Sequence, residues 1–79
     1  MKWFSYAMDT TEPPKGFPTR QAAVRDAQSV LDTENRPKRV ENGMLMLISK
    51  TGKTRYIGRA ESFRLCGFAW AHSQMLKKT

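Results

Sequence analysis

Residues 38–58, KRVENGMLMLISKTGKTRYIG, contain two tight-turn signals separated by an apolar segment. Asn42-Gly43 is a strong hairpin signal because both residues tolerate positive φ angles. Thr51-Gly52 marks a second turn. The segment between the turns is apolar in its middle, and the segment after them is rich in β-branched and aromatic residues, as in strands. The stretch therefore predicts a three-stranded antiparallel meander, with strands at residues 38–41, 44–50 and 54–58.

The flanking residues predict one more strand and two helices. Aromatic residues alternate with smaller ones in residues 1–8, which predicts a first strand. Prolines and a glycine in residues 9–18 predict a loop, and Thr19 is a suitable cap for a helix over residues 19–32. A second helix is expected over residues 60–77. The order β-α-β-β-β-α predicts a single α+β domain, with an antiparallel sheet and both helices packed on one of its faces.

The predicted last helix is apolar on two sides. Phe63 and Trp70 fall on one side, and Leu65, Phe68 and Met75 fall on nearly the opposite side. Either the first helix and the sheet enclose this helix, or one of its faces contacts a partner or a second copy of the chain. The sequence therefore predicts a homodimer, with a protein interface drawn from Phe68, Trp70 and Met75.

Composition argues against an enzyme. The chain has 79 residues with one cysteine, Cys66, and one histidine, His72, so it has neither a disulfide nor a zinc-ligand pattern. Gly52-Lys53-Thr54 is similar to the end of a phosphate-binding loop, but the first glycine of that motif is absent. We expect no cofactor and no metal. The lack of a signal-like or membrane-spanning segment predicts a protein of the cytoplasm, in a bacterium or an infected host cell.

Positive charge is concentrated in the second half of the chain. The formal net charge is +7, with −1 in residues 1–35 and +8 in residues 36–79. Such a charge block attracts polyanions, and nucleic acid is the natural one. A basic pI near 10.1 also favours solubility, and cations protect sheet edges from aggregation. The candidate nucleic-acid-binding residues are Arg36, Lys38, Arg39, Lys50, Lys53, Arg55, Arg59 and Arg64.

The second turn decides how two of these cations are oriented. A three-residue loop ending at Gly52 would place Lys53 and Arg55 on one sheet face with Leu47 and Ile57. A two-residue turn would change that pairing. The sequence leaves both turns open.

The series of Asn42-Gly43, an apolar strand, Thr51-Gly52-Lys53 and Arg55–Gly58 before a helix resembles the arm-DNA-binding module of phage-type tyrosine recombinases. That AP2-like module is a three-stranded sheet backed by one helix, with the sheet lying in the DNA major groove. The resemblance covers residues 38–77 and implies DNA contacts by Lys50, Lys53, Arg55 and Arg59. This chain departs from the pattern by an additional strand and helix before the module and by having no catalytic recombinase domain.

The leading hypothesis from these features is a small, basic, non-enzymatic nucleic-acid-binding protein. It would be a DNA-binding accessory or regulatory factor of the phage or mobile-element type, with RNA as a second kind of target. The alternative is a small phage-encoded protein-interaction factor that docks on an acidic surface of a host protein and inhibits or modulates it. No membrane partner is expected.

Overall fold

The computed structural model describes residues 2–7, 13–32, 34, 36–68 and 70. These residues form a five-stranded antiparallel sheet of order β2-β1-β5-β4-β3 and two helices, which confirms the predicted α+β class. The elements are β1 Trp3–Tyr6, β2 Lys15–Phe17, α1 Arg20–Leu31, β3 Lys38–Arg39, β4 Leu45–Ile48, β5 Thr54–Gly58 and α2 Ala60–Leu65.

The predicted loop over residues 9–18 is wrong at its end, because residues 15–17 form β2. This strand pairs with β1 through Trp3–Phe17, Phe4–Gly16 and Ser5–Lys15. It lies at the edge of the sheet and is only three residues long. Pro14 and Pro18 flank it, and proline is tolerated at a sheet edge because one side of that strand needs no hydrogen-bond donor. Residues 9–12 of the predicted loop, and residues 1 and 8 of the predicted first strand, lie outside the described residues.

Both turns of the predicted meander are present. Asn42 and Gly43 have φ angles of 60° and 78° in a short 3-10 turn, Glu41–Gly43, as the hairpin signal requires. In the second turn the Ser49 N–H donates to the Lys53 carbonyl oxygen at 2.8 Å. This bond encloses three residues, Lys50 to Gly52, and places Leu47 opposite Arg55. The three-residue alternative is therefore the one adopted.

The two helices pack on opposite faces of the sheet, so the expectation that both cover one face is wrong. On one face, Ala23 and Ala27 of α1 pack with Leu45, Leu47 and Ile57. The other face belongs to a second cluster, which contains the buried residues Phe4, Met44, Ala60 and Phe63. Apolar residues alternate onto both faces of β4, and each face therefore needs its own cover. We refer below to the α1 face and the α2 face.

The second helix is much shorter than predicted, because it ends at Leu65. The Gly67 N–H donates to the Arg64 carbonyl oxygen at 3.0 Å, and the Phe68 N–H donates to the Phe63 carbonyl oxygen at 3.0 Å. These two bonds, with Gly67 at φ 92°, form a Schellman ending, which requires a left-handed residue and selects glycine. The chain therefore turns where the sequence pattern predicts a continuous helix, and residues 71–77 of that prediction lie outside the described residues.

This ending brings the apolar residues of both predicted helix sides together. The Phe68 ring lies 5.3 Å from Phe63, and the Trp70 ring lies 4.8 Å from Phe63 between ring centroids. The Tyr6 ring of β1 contacts the Phe68 ring, with 5.6 Å between the ring centroids. Leu65 stays 55% exposed. Intramolecular packing thus accounts for Phe68 and Trp70, Met75 lies outside the described residues, and the homodimer stays a prediction.

Candidate nucleic-acid interface

The β3 edge of the sheet presents cations to both faces. Lys38 and Arg39 are exposed and make up the whole strand. Lys38 lies opposite Met46, and Arg39 lies opposite Leu45. Because opposed residues share a sheet face, Lys38 belongs to the α2 face and Arg39 to the α1 face. A polyanion lying along this edge would meet positive charge on either side.

Three arginines line one groove on the α1 face. Arg20 at the start of α1, Arg36 before β3 and Arg39 in β3 surround a cavity of about 500 Å³. The remaining described lining residues, none of them acidic, are Gln21, Val24, Pro37 and Leu45. We call this cavity the arginine groove. Planar guanidinium groups donate in forks that match phosphate oxygens, so the lining suits a phosphate-bearing ligand.

The start of α1 adds to the positive potential of the arginine groove. The Thr19 side chain accepts a hydrogen bond from the Ala22 N–H at 3.2 Å, which confirms its predicted capping role. The first turn of this 12-residue helix contains no acidic residue. The positive end of the helix dipole is therefore uncompensated by its own side chains and lies beside Arg20.

Two further cavities lie on the α2 face and share Met46. The cationic cavity, about 260 Å³, is lined by Arg36, Lys38, Met46 and Ile48. The aromatic cavity, about 390 Å³, is lined by Val40, Glu41, Met44, Met46, Tyr56, Cys66 and Phe68. Arg36 lines both the arginine groove and the cationic cavity, so this residue borders a cavity on each face of the sheet.

The other predicted lysines lie at the turn between β4 and β5. Lys50 is in the turn after β4 and is exposed, as is Lys53 directly before β5. Ile48, which lines the cationic cavity with Arg36, ends the strand that leads into this turn. Neither lysine is among the described lining residues of the three cavities.

Arg55 is in a different position from the other predicted cations. Its side chain is 6% exposed and faces the α1 side of the sheet. Its Nη1 donates to Ser5 Oγ at 3.4 Å, which joins β5 to β1. A buried guanidinium with a side-chain acceptor has the features of a structural group. The sequence pattern does not show this burial, because it depends on α1 covering the face.

Arg59 and Arg64 are exposed but line none of the three cavities described above. The Arg59 guanidinium lies over the Trp3 ring, 5.4 Å from its centroid, at the end of β5. Arg64 is in the last turn of α2. The structure therefore groups Arg36, Lys38 and Arg39 and leaves these two arginines apart.

Sequence reasoning missed Arg20, because it belongs to the half of the chain with a balance of −1. One signal could have identified it. Acidic residues are favoured in the first turn of a helix, and a basic residue directly after the Thr19 cap is against that preference. Such a placement singles out Arg20 as a candidate binding residue.

The groups able to support catalysis or metal binding are sparse among the described residues. No group of three or more His, Cys, Asp or Glu side chains within the described ranges could hold a metal ion. The Cys66 thiol accepts from Asn42 Nδ2 at 3.4 Å and lies 3.7 Å from the Glu41 carbonyl oxygen, linking α2 to the 3-10 turn. His72 is outside the described residues.

No described helix has the length and apolar character needed to cross a membrane.

The resemblance to an arm-DNA-binding module concerns the sheet face opposite the last helix. In this chain that face carries Leu45, Leu47 and Ile57, and α1 packs on it. Of the four cations that the resemblance implies, Lys50, Lys53 and Arg59 are exposed and Arg55 is buried. The resemblance itself stays a prediction. No family model matches the chain, and no curated protein or solved structure matches it significantly.

Proposed function

We propose that this protein is a small, non-enzymatic nucleic-acid-binding factor that contacts phosphates along the β3 edge. The observation that supports this proposal most strongly is the convergence of Arg20, Arg36 and Arg39 on one groove with no acidic residue among its described lining. Arginine–phosphate contacts release condensed counterions, and this release supplies most of the affinity of non-specific binding. Accessory or regulatory action on DNA, of the phage or mobile-element type, is the role that we propose for such binding.

The arrangement supports backbone contact more directly than base reading. Lys38 and Arg39 extend from one strand to opposite faces, and Arg36 lines a cavity with each of them. This spread of charge can follow a phosphate backbone along an edge. Contacts to phosphates position a protein on nucleic acid without specifying sequence. We therefore expect binding to duplex DNA with weak dependence on its sequence.

A charge-reversal experiment with a matched control tests this proposal. The double variant Arg36→Glu with Arg39→Glu should lose duplex-DNA affinity by at least about tenfold at low salt, because two phosphate contacts become repulsive. The control is Arg25→Glu with Arg64→Glu, which changes the net charge equally at exposed positions outside the arginine groove. Fluorescence anisotropy with a labelled duplex measures the DNA affinity of both variants and of the wild type. Equal losses in the two variants, or no binding by the wild type, would contradict the proposal.

One observation favours a protein partner as a second candidate function. The aromatic cavity is lined mainly by apolar side chains, among them Met46, Tyr56 and Phe68, and such surfaces hold apolar anchors of partner proteins. Cations at its edge would suit an acidic host protein that this chain inhibits or modulates. A pull-down from nuclease-treated lysate separates the two functions. A stoichiometric protein that stays bound after nuclease treatment favours this candidate, and loss of bound material favours nucleic acid.

A further inference from the structure

The α2 face of the sheet combines an aromatic surface with adjacent cations. Met46 lines both the cationic and the aromatic cavity, so the two are adjacent. The register places Lys38 opposite Met46 and Met46 opposite Tyr56. These three side chains therefore form a row across three strands on one face, with its ends two strand spacings, about 10 Å, apart.

The aromatic cavity has the properties of a site for a flat, apolar-faced group. Tyr56 and Phe68 line it with ring centroids 6.1 Å apart, and both side chains are partly exposed. Met44 and Met46 add polarisable thioethers, which adapt to varied ring shapes. Its volume of about 390 Å³ lies within the range of small-ligand pockets.

The two cavities of the α2 face differ in the charge of their lining residues. Arg36 and Lys38 line the cationic cavity, and no described lining residue of that cavity is acidic. Glu41 is among the residues that line the aromatic cavity, and its negative charge disfavours a phosphate there. A ligand with an anionic part and an aromatic part would therefore lie with its anion at β3 and its ring toward Tyr56.

We infer that this face binds single-stranded nucleic acid, with an unpaired base in the aromatic cavity and a backbone phosphate at Arg36 and Lys38. The inference rests on the proposed function and adds to it the form of nucleic acid preferred. In a duplex both faces of each base are already stacked, so only an unpaired base can enter such a cavity. Base stacking on aromatic side chains tolerates every base, because each has a π face.

Three ligands test the inference: a thymidine strand of about 12 nucleotides, an abasic strand of the same length and charge, and a duplex. The wild type should bind the thymidine strand roughly 5- to 150-fold more tightly than the abasic strand, the range expected for one stacked base. Tyr56→Ala should remove this preference and retain the abasic-strand affinity. Tyr56→Phe, which retains an aromatic ring, should preserve the preference.

The outcomes separate this inference from the proposed function. Equal wild-type affinity for thymidine and abasic strands, or a preference that survives in Tyr56→Ala, overturns base binding here and leaves phosphate binding intact. Binding to none of the three ligands overturns the proposed function itself. If Tyr56→Ala does not fold by circular dichroism, Met46→Glu replaces it, because Met46 is shared by both cavities and is partly exposed. Met46→Glu should also abolish the preference, and an unchanged preference would contradict the inference.

Discussion

At the scale of single residues, burial separates structural arginines from binding arginines. Arg55 and Arg39 are both basic residues of the predicted meander, yet Arg55 is 6% exposed and bonded to Ser5, whereas Arg39 is exposed at the sheet edge. A buried guanidinium that loses its partner incurs a desolvation penalty, whereas an exposed one does not. The two residues should therefore respond differently to the same substitution.

Arg55→Met should lower the free energy of unfolding by about 1–3 kcal/mol, because the Ser5 hydroxyl loses its partner in the core. Its DNA affinity should equal that of the wild type. Arg39→Met should show the reverse, with unchanged stability and weaker DNA binding. Urea denaturation and anisotropy titrations of both variants measure these effects. A folded Arg55→Met protein with reduced DNA affinity would contradict the structural role.

At the scale of elements, the end of α2 decides which apolar residues form the core. The sequence pattern places Leu65 and Phe68 together on one side of a long helix. The Schellman ending at Gly67 instead turns the Phe68 ring onto Phe63 and Tyr6 and leaves Leu65 55% exposed. Helix propensity and periodicity do not detect this ending, because glycine in a helix interior and glycine after a helix have the same sequence signature.

Phe68→Ala should therefore destabilise the protein by about 2 kcal/mol or more, through lost ring contacts and burial. Leu65→Ala, the matched control in the same segment, should change stability by less than about 0.5 kcal/mol. Thermal unfolding, monitored by circular dichroism, compares the stabilities of the two variants with that of the wild type. Equal effects of the two substitutions would indicate a continuous helix rather than the turn at Gly67.

At the scale of the whole molecule, local patterns predicted the elements better than their packing. Turn chemistry located the meander, and the cap at Thr19 located α1, because both depend on neighbouring residues. Which face of the sheet each helix covers depends on contacts between distant segments. The burial of Arg55 depends on such contacts too. The arginine groove combines Arg20 with Arg36 and Arg39 across α1 and β3, so counting charge by halves of the chain could not reveal it.

The salt dependence of DNA binding measures whether the arginine groove contacts phosphates. We expect the slope of log affinity against log salt concentration to become shallower by about 3 when Arg20, Arg36 and Arg39 are all replaced by Met, since each phosphate contact contributes about one to the slope. Replacing the exposed residues Lys15, Arg25 and Arg64 by Met, with the same loss of charge, should leave the slope unchanged. A slope that is the same for the wild type and the groove variant would contradict phosphate binding by the arginine groove.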